Sequence, residues 1–227
     1  RRDKSRPFAM LYYHKAPHRN WMPAQRHLGI NDDRVFPEPF NLLDDYSGRG
    51  SAARGQAMEI GRDMWPEWDL KLMTPEQLAQ SYVLETSGDA NKDDVSRAND
   101  WRSSVMQYQA AYNRMTPEER ANWDRAYAPR IAEYERMKGR VSQEELTRWK
   151  YQQYMKDYCA VIKGVDENVG RLLDYLEEIG ELDNTIIVYT SDQGFFLGEH
   201  GWFDKRFMYE ECQRTPLLVR YPKAVAA

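Results

Sequence analysis

The sequence has few cysteines, no long apolar segment and little net charge, and each shortage excludes a class of protein. Two of the 227 residues are cysteine, and neither belongs to a C-x-x-C pair of the kind that binds zinc or exchanges electrons. No apolar run approaches the roughly 18–20 residues that a membrane-spanning helix needs. The formal net charge of −4 gives no electrostatic reason to expect nucleic acid or an anionic membrane as a partner.

Large aromatic residues, by contrast, are abundant. The chain contains 7 Trp and 15 Tyr, too many rings for a disordered protein, so many of them are expected to be buried or to line a cleft. A length of 227 residues fits one large domain or slightly more. The basic opening, RRDKSRPFAMLYYHK, has too short an apolar stretch for a signal peptide and is expected to lead into a core strand.

Three short apolar runs are predicted to be strands. They are residues 7–13 (PFAMLYY), 185–190 (TIIVYT) and 216–222 (PLLVRYP). The second run has no polar alternation, which is typical of a strand covered on both faces. A helical pattern leads into it through a short turn, so we expect an α/β protein with a parallel sheet.

The middle of the chain, residues 74–180, is predicted to be helical. Capping boxes begin at Thr74, Thr116 and Ser142. The polar stretch 85–100 is expected to be an exposed connection. The helix that starts near Ser142 should end at Gly180. It should also bury one apolar stripe, made of Tyr154, Tyr158, Val161, Ile162, Val165, Val169, Leu172, Leu173, Leu176 and Ile179.

Polar residues follow two of the predicted strands. Asp192 and Gln193 come just after the second strand, and Lys15 and His18 come after the first. Ligands of open α/β sheets bind at the carboxyl ends of the strands, so these side chains are expected to meet at one edge. A carboxylate beside an amide offers two hard oxygens, which suit Ca²⁺ or Mg²⁺ and do not suit Zn²⁺.

Two basic residues would complete an anion site at that edge. Lys205 adds a point charge able to hold an anion, and His18 can donate a hydrogen bond to it or move a proton. Each candidate also has a plain structural interpretation. Asp192 has the position of a turn former, Lys205 that of a solvated surface residue, and His18 and His200 those of loop hydrogen-bonding groups.

Residues 185–222 resemble the C-terminal motif region of the sulfatases, members of the alkaline phosphatase superfamily. The shared elements are a strand followed by T-S-D-Q-G, then G-E-H-G, a lysine five residues after that histidine, Y-E and R-T-P-L. The segment YYHKAPHRNWMP is similar to the family's K-x-P-H segment. The helix containing VDENVGRLLDYLEEIG resembles the family's helix before the metal-binding strand. The amino-acid sequence of these segments is most similar to that of members acting on glucosamine-type sugars, such as N-acetylglucosamine-6-sulfatases.

The resemblance implies a fold class and a division of the chain. The expected class is α/β, with part of an alkaline-phosphatase-like sheet flanked by helices and a helical insertion. Residues 1–227 would form a partial sulfatase catalytic domain. Within it, 7–23 would supply a strand and the histidine loop, 74–180 the helical segment, and 185–222 the metal-site strand, its loop and the next strand.

The resemblance also implies roles for single residues. Asp192 and Gln193 would be Ca²⁺ ligands, with Gln193 standing where many members have Asn. Lys205 and His18 would be catalytic, contacting the sulfate ester and assisting departure of the alcohol. Substrate-binding roles would fall to Lys15 and to His200, the latter shaping the pocket or touching the substrate.

The family's nucleophile segment has no counterpart in this sequence. Sulfatases use a Cys or Ser in C/S-x-[PA]-x-R, oxidised to formylglycine, as the nucleophile. The CQRTP segment at Cys212 lacks Pro or Ala two residues on, and Cys159 has the pattern of a helix face. Asp44 and Asp45 follow no strand, and DDYSGR fits an Asx-type turn better than a metal site. The chain is therefore interpreted as the central-to-late portion of a sulfatase, with formylglycine expected in an N-terminal part that this sequence lacks.

The functional expectation is hydrolysis of sulfate esters on a sulfated carbohydrate such as a glycosaminoglycan, with Ca²⁺ (or Mg²⁺) as cofactor. The resemblance implies a periplasmic or secreted location, or a lysosomal one in a eukaryote. Three alternatives stay open. They are a phosphoesterase or phosphonate hydrolase of the same superfamily, a non-catalytic carbohydrate-binding remnant, and a helical interaction protein built on residues 116–180.

The 227-residue chain by itself is predicted to have no sulfate-ester turnover and to bind Ca²⁺ weakly, because it supplies no nucleophile and only about half of the expected calcium ligands. A sulfate-release assay and calcium titration calorimetry on the isolated chain check this. Robust turnover would contradict the interpretation.

Overall fold

The computed structural model describes residues 6–80 and 92–224. The α-helices in this part are α1 (Ser51–Gly55), α2 (Ile60–Asp63), α3 (Pro75–Gln80), α4 (Lys92–Asn113), α5 (Pro117–Met137), α6 (Gln143–Glu178) and α7 (Glu210–Gln213). The strands are β1 (Ile187–Thr190), β2 (Phe196–Leu197), β3 (Phe203–Asp204) and β4 (Leu217–Arg220). None of the helices in the described ranges combines the length and the apolar character required to cross a bilayer.

The starts of three helices follow from local sequence chemistry. The Thr116 hydroxyl accepts from the Glu119 amide at 3.2 Å, and the Glu119 carboxylate accepts from the Thr116 amide at 2.7 Å. The same reciprocal pairs join Ser142 with Glu145 and Thr74 with Gln77. The predicted capping boxes are therefore confirmed. They satisfy amides that have no partner inside the helix.

The prediction for residues 85–100 is wrong in its second half. Residues 92–100 belong to α4 and therefore form a helix, not a connecting loop. Residues 81–91, which fall within the predicted helical segment 74–180, lie outside the described residues.

Helix α6 has the predicted limits, and Gly180 follows it with φ of +71°. Its apolar stripe is only partly buried. Tyr154, Val161 and Leu176 are buried, whereas Ile162 and Ile179 are exposed. The N-terminal half of the helix packs against other elements, and parts of the C-terminal half face outward.

The second and third predicted strands exist, but the sheet they form differs from the prediction. β1 and β4 pair antiparallel, with Val188 opposite Val219 and Tyr189 opposite Leu218. The expected parallel arrangement is therefore wrong for this pair, and so is burial of β1 on both faces, since Val188 is 56% exposed. The apolar composition of residues 185–190 indicates a tendency to be buried. It does not indicate which strand pairs with β1 or in which direction.

The predicted strand at residues 7–13 is not a strand in the structure. The segment has no ladder partner among the described residues, and Leu11 and Tyr13 are 77% and 82% exposed. An apolar run becomes a strand only where a neighbour supplies hydrogen bonds.

A buried ion pair stands at the centre of the fold. Lys71 is fully buried, and its ammonium group lies 2.6 Å from the Asp157 carboxylate of α6. Burial lowers the pKa of Lys71, and the charge of Asp157 opposes that shift. The second Asp157 oxygen binds Arg130 of α5 at 2.6 Å. One carboxylate thus joins two long helices to the loop that carries Lys71.

The same lysine also holds two loops through their backbone. Its ammonium donates to the carbonyl oxygens of Trp21 and Asp69, each at 2.7 Å. All three ammonium protons therefore have acceptors, which is the condition under which a buried lysine is tolerated. The loop that contains His18 is fixed to the core three residues later, at Trp21.

Replacing Lys71 by Met is predicted to lower the free energy of unfolding by about 3–5 kcal/mol, because it leaves the Asp157 charge buried with a lost partner. Urea unfolding followed by far-UV circular dichroism measures the change. The matched control is Lys163→Met, which breaks an exposed ion pair with Asp166 and should cost less than about 1 kcal/mol. Equal losses in the two variants would contradict the role given to Lys71.

Candidate active site

The loop that contains His18 is a compact turn. The His18 amide donates to the carbonyl oxygen of Lys15 at 2.9 Å, and both side chains are exposed. The His18 Nδ1 atom lies 2.8 Å from the carbonyl oxygen of Arg19. A carbonyl oxygen only accepts, so Nδ1 carries a proton and Nε2 is the nitrogen left for a ligand.

Arg19 anchors this turn from beneath. Its guanidinium forms a two-pronged ion pair with the fully buried carboxylate of Asp69, at 2.5 and 2.7 Å. The same guanidinium lies over three rings, with centroid distances of 5.4 Å to Trp65, 4.6 Å to Trp68 and 4.9 Å to Phe203. The planar guanidinium can stack on these rings and form two parallel hydrogen bonds to Asp69 at the same time. The ammonium group of a lysine would lack the second of these parallel hydrogen bonds.

Two rings bring the His18 loop and Lys205 into one neighbourhood. Trp21 donates from its ring nitrogen to the carbonyl oxygen of Pro17 at 2.8 Å, and its ring meets that of Phe195 at 6.3 Å. On the Phe195 ring lies the ammonium of Lys205, 5.4 Å from the centroid. The segments with His18 and Lys205 thus pack on the same aromatic pair.

Asp192 and Gln193 lie at the carboxyl end of β1, as predicted. Asp192 is exposed and Gln193 is half-buried. The Ser191 hydroxyl donates to the Gln193 carbonyl oxygen at 2.7 Å, which shapes the turn. Phe195, which lies under Lys205, comes two residues after Gln193. The metal-ligand candidates are therefore close in sequence to the ring that Lys205 contacts, and their convergence with Lys205 stays a prediction.

Gly194 fixes where that turn lies. Its amide donates to the Cys212 carbonyl oxygen at 2.8 Å, and the Phe195 amide donates to the Glu211 carbonyl oxygen at 2.7 Å. A Cβ atom at Gly194 would collide with the backbone oxygen of Glu211. Glycine is required there because the two backbones are in direct contact.

The donor set suits a hard cation but is incomplete. The Asp192 carboxylate and the Gln193 amide supply oxygen atoms of the kind that Ca²⁺ prefers, out of the roughly 6–8 that it takes. Residues 6–80 and 92–224 contain no group of three or more His, Cys, Asp or Glu residues arranged to hold a metal ion. Asp192 and Gln193 are therefore suited to supply part of the coordination shell of a calcium ion.

His200 lies in a network that the sequence did not reveal. Its Nδ1 atom is 2.9 Å from the Asn41 amide nitrogen and 2.8 Å from Arg49, and its Nε2 atom is 3.4 Å from the Glu211 carboxylate. Arg49 also pairs with Asp44 at 2.6 Å. The signal available in the sequence was the D-D-Y-S-G-R turn itself, which places a carboxylate and an arginine five residues apart.

The Asx-type turn predicted at Asp44 and Asp45 is confirmed. Their carboxylates accept from the amides of Tyr46 and Ser47 at 2.9 and 2.8 Å. The Ser47 backbone hydrogen bond lowers the pKa of Asp45. The second oxygen of Asp44 remains for Arg49, so this turn also takes part in the network around His200.

Neither cysteine has the lowered thiol pKa that is typical of an activated nucleophile. Burial raises the pKa of the Cys159 thiol and of the Cys212 thiol. A raised pKa keeps a thiol protonated and unreactive. This agrees with the absence of a nucleophile segment from the sequence.

Comparison with known proteins identifies the lineage of this arrangement. Residues 95–227, more than half of the chain, match the sequence model of the sulfatase family. This chain belongs to the sulfatase family. The resemblance of residues 185–222 to sulfatases is thereby confirmed, as is the α/β sulfatase fold class.

Individual relatives of this chain are also sulfatases. Over 226 residues the chain is 58% identical to the N-acetylglucosamine-6-O-sulfatase of Bacteroides thetaiotaomicron, covering 100% of this chain and 36% of that protein. It is 36% identical over 86 residues to an arylsulfatase of Clostridium perfringens, covering 38% of this chain and 17% of the relative. The chain thus spans about a third of the length of the first of these sulfatases.

A solved structure has the same fold. It superposes with a TM-score of 0.82 at 58% identity, over 99% of this chain and 40% of that chain. That protein was solved in complex with its substrate D-glucosamine-2-N,6-O-disulfate.

Arg19→Met is predicted to lower the free energy of unfolding by about 3 kcal/mol, because Asp69 would keep a buried charge without its main partner. Tryptophan emission should shift as well, since the cation leaves the faces of Trp65 and Trp68. Chemical denaturation followed by fluorescence gives both readouts. Arg26→Met is the control, because Arg26 forms an exposed pair with Glu167. An Arg19 variant as stable as this control would show that the clamp contributes little.

Proposed function

We propose that the protein containing this chain is a sulfuric ester hydrolase that removes the 6-O-sulfate of glucosamine-type sugars. The observation that carries the proposal is 58% identity over the whole chain to an N-acetylglucosamine-6-O-sulfatase. It is supported by the shared fold with a protein solved with D-glucosamine-2-N,6-O-disulfate. Because the chain spans about a third of that relative, the activity is proposed for the longer protein.

His18 and Lys205 are proposed to be the catalytic residues of this portion. With both ring nitrogens protonated, His18 would contact the ester oxygen through Nε2 and deliver the Nε2 proton to the departing alcohol, leaving the neutral ring with its proton on Nδ1. The Lys205 ammonium would hold sulfate oxygens, and its contact with the Phe195 ring fixes its direction. Charge placed in advance where it develops in the transition state is a large source of rate enhancement.

Lys15 is proposed to be a substrate contact. It lies exposed on the same turn as His18, whose amide binds the Lys15 carbonyl oxygen. Lysine at that position would add a second positive charge at the mouth of an anion site.

Asp192 and Gln193 are proposed to hold part of the shell of a Ca²⁺ ion (with Mg²⁺ as a possible substitute). When bound, such a cation would neutralise sulfate charge and orient the ester. Formylglycine, the nucleophile that the resemblance implies, would come from a part of the protein that this chain does not supply.

We propose that residues 7–23, 74–180 and 185–222 belong to one partial catalytic domain. Ring contacts support this. Trp21 of the first part lies 4.5 Å from Tyr154 of the second and 6.3 Å from Phe195 of the third, measured between centroids.

The sulfatase resemblance also motivates a proposed location, in the periplasm or outside the cell, where a sulfated glycosaminoglycan would be met. Cell fractionation with an antibody against the chain tests this. Recovery of the protein in the cytoplasmic fraction would oppose it.

The activity is tested with the full-length protein on glucosamine 6-O-sulfate, with the 3-O-sulfate and the 6-phosphate as controls. The expected result is calcium-dependent sulfate release from the 6-O-sulfate. Lys205→Ala is expected to lower kcat/KM by about 100-fold or more, as removal of one charge-stabilising group does elsewhere. His18→Asn should reduce kcat by about 10²–10⁴-fold, the usual contribution of a general acid.

Lys223→Ala serves as the control variant, since Lys223 is an exposed residue bound to Asn184 at 2.7 Å, and should behave as wild type. Faster turnover of the 6-phosphate than of the sulfate would instead support the phosphoesterase alternative. Tight sugar binding without any turnover would support a carbohydrate-binding remnant.

A further inference from the structure

The ring of His200 is occupied at both nitrogens. Arg49 lies 2.8 Å and the Asn41 amide nitrogen 2.9 Å from Nδ1, and Glu211 lies 3.4 Å from Nε2. Arginine can only donate, so Nδ1 must accept and the proton must be on Nε2, facing the Glu211 carboxylate. Asp44 is also 3.3 Å from Nδ1, but it is closer to Arg49 at 2.6 Å, so its charge is directed to the guanidinium.

The backbone of His200 is held as firmly as its ring. Its φ is +60°, in the left-handed region that side-chain-bearing residues rarely adopt. The Tyr46 hydroxyl donates to the His200 carbonyl oxygen at 2.9 Å and accepts from the Trp202 ring nitrogen at 2.8 Å. Burial raises the pKa of Tyr46 to about 12, so this hydroxyl stays protonated.

The next residue brings the two loops into direct contact. A Cβ atom at Gly201, which has a φ of +72°, would lie 2.7 Å from the Leu42 carbonyl oxygen. The loop at residues 41–49 is thus packed against the G-E-H-G turn along its backbone, and the β2–β3 turn leads four residues later to Lys205. On the other side, Glu211 binds the Phe195 amide through its own carbonyl oxygen at 2.7 Å.

We propose that His200 is a positioning residue, and that Arg49, oriented by Asp44, fixes its tautomer so that it joins the turn carrying Lys205 to the helix that holds the Asp192–Gln193 turn. The proposal rests on the function proposed above. It assigns Arg49 and Asp44 a part in the reaction that acts through His200, without contact with the substrate. It also replaces the expected substrate contact by His200 with a role inside the protein.

The test uses the full-length protein with Arg49→Met, Asp44→Asn, His200→Ala and His200→Asn. Arg49→Met and His200→Ala are expected to lower kcat/KM by about 10- to 100-fold, the size of effect that small misplacements of reacting groups produce. His200→Asn should stay within about fivefold of wild type, because the Asn oxygen replaces Nδ1 as an acceptor and Asn tolerates positive φ. Arg54→Met, at an exposed arginine of α1, is the control.

Coupling between the variants tests the order of action. Asp44→Asn combined with Arg49→Met should be no more damaging than Arg49→Met alone, because both act through one ring. A His200→Asn variant as impaired as His200→Ala, with the loss mainly in KM, would mean that the ring binds substrate. An Arg49→Met variant equal to the Arg54→Met control would overturn the proposal outright.

A spectroscopic measurement keeps the inference separate from the activity. In ¹⁵N-histidine-labelled protein, the His200 signals, assigned by their loss in His200→Asn, should show the neutral tautomer with the proton on Nε2. That pattern should become a mixture of tautomers in Arg49→Met, because Asp44, 3.3 Å from Nδ1 and no longer paired with Arg49, can then accept from a protonated Nδ1 in competition with the Asn41 donor. A proton on Nδ1 in the wild type overturns the proposal even if the enzyme is active. The expected pattern in a protein without sulfatase activity would mean that only the proposed function had failed.

Discussion

The position of the candidate site depends on burying one lysine beside one aspartate. Lys71 and Asp157 lie far apart in the sequence, yet their contact joins α6 to the loop before α3 and, through Arg130, to α5. The third bond of Lys71, to the Trp21 carbonyl oxygen, fixes the His18 loop on this centre. A buried ion pair of this kind adds little net stability compared with apolar packing, but it enforces one arrangement because any other leaves a charge unpaired.

Around that centre the site is assembled from two kinds of anchor. Aromatic rings set direction, since Trp21 and Phe195 lie between the His18 turn and Lys205. Backbone contacts set distance, since Gly194 and Gly201 allow loops to approach where any side chain would intervene. The exposed groups proposed for chemistry, His18 and Asp192, are thus carried on turns whose neighbouring residues are fixed, which is how a surface loop can present a defined geometry.

Much of this was readable from sequence where the cause is local. The caps at Thr116 and Ser142 need residues only three positions apart, and the Asx turn at Asp44 needs two. The apolar run at residues 185–190 likewise placed Asp192 just after a strand, where the structure has it. The features that the sequence did not show depend on residues that are distant from one another in the chain. Arg49 meets His200 across 151 positions, and no pattern in either segment names the other. The strand predicted at residues 7–13 is wrong for the complementary reason. Its apolar composition is typical of a strand, but it has no pairing partner among the described residues.

The ribbon of β1 and β4 carries a consequence for the life of the polypeptide. Its residues Val188, Tyr189, Leu217 and Leu218 are all exposed and apolar. A short two-stranded ribbon with such a surface is marginal in water and offers its edges for strand addition by another molecule. The 227-residue chain on its own is therefore expected to be prone to self-association through this ribbon.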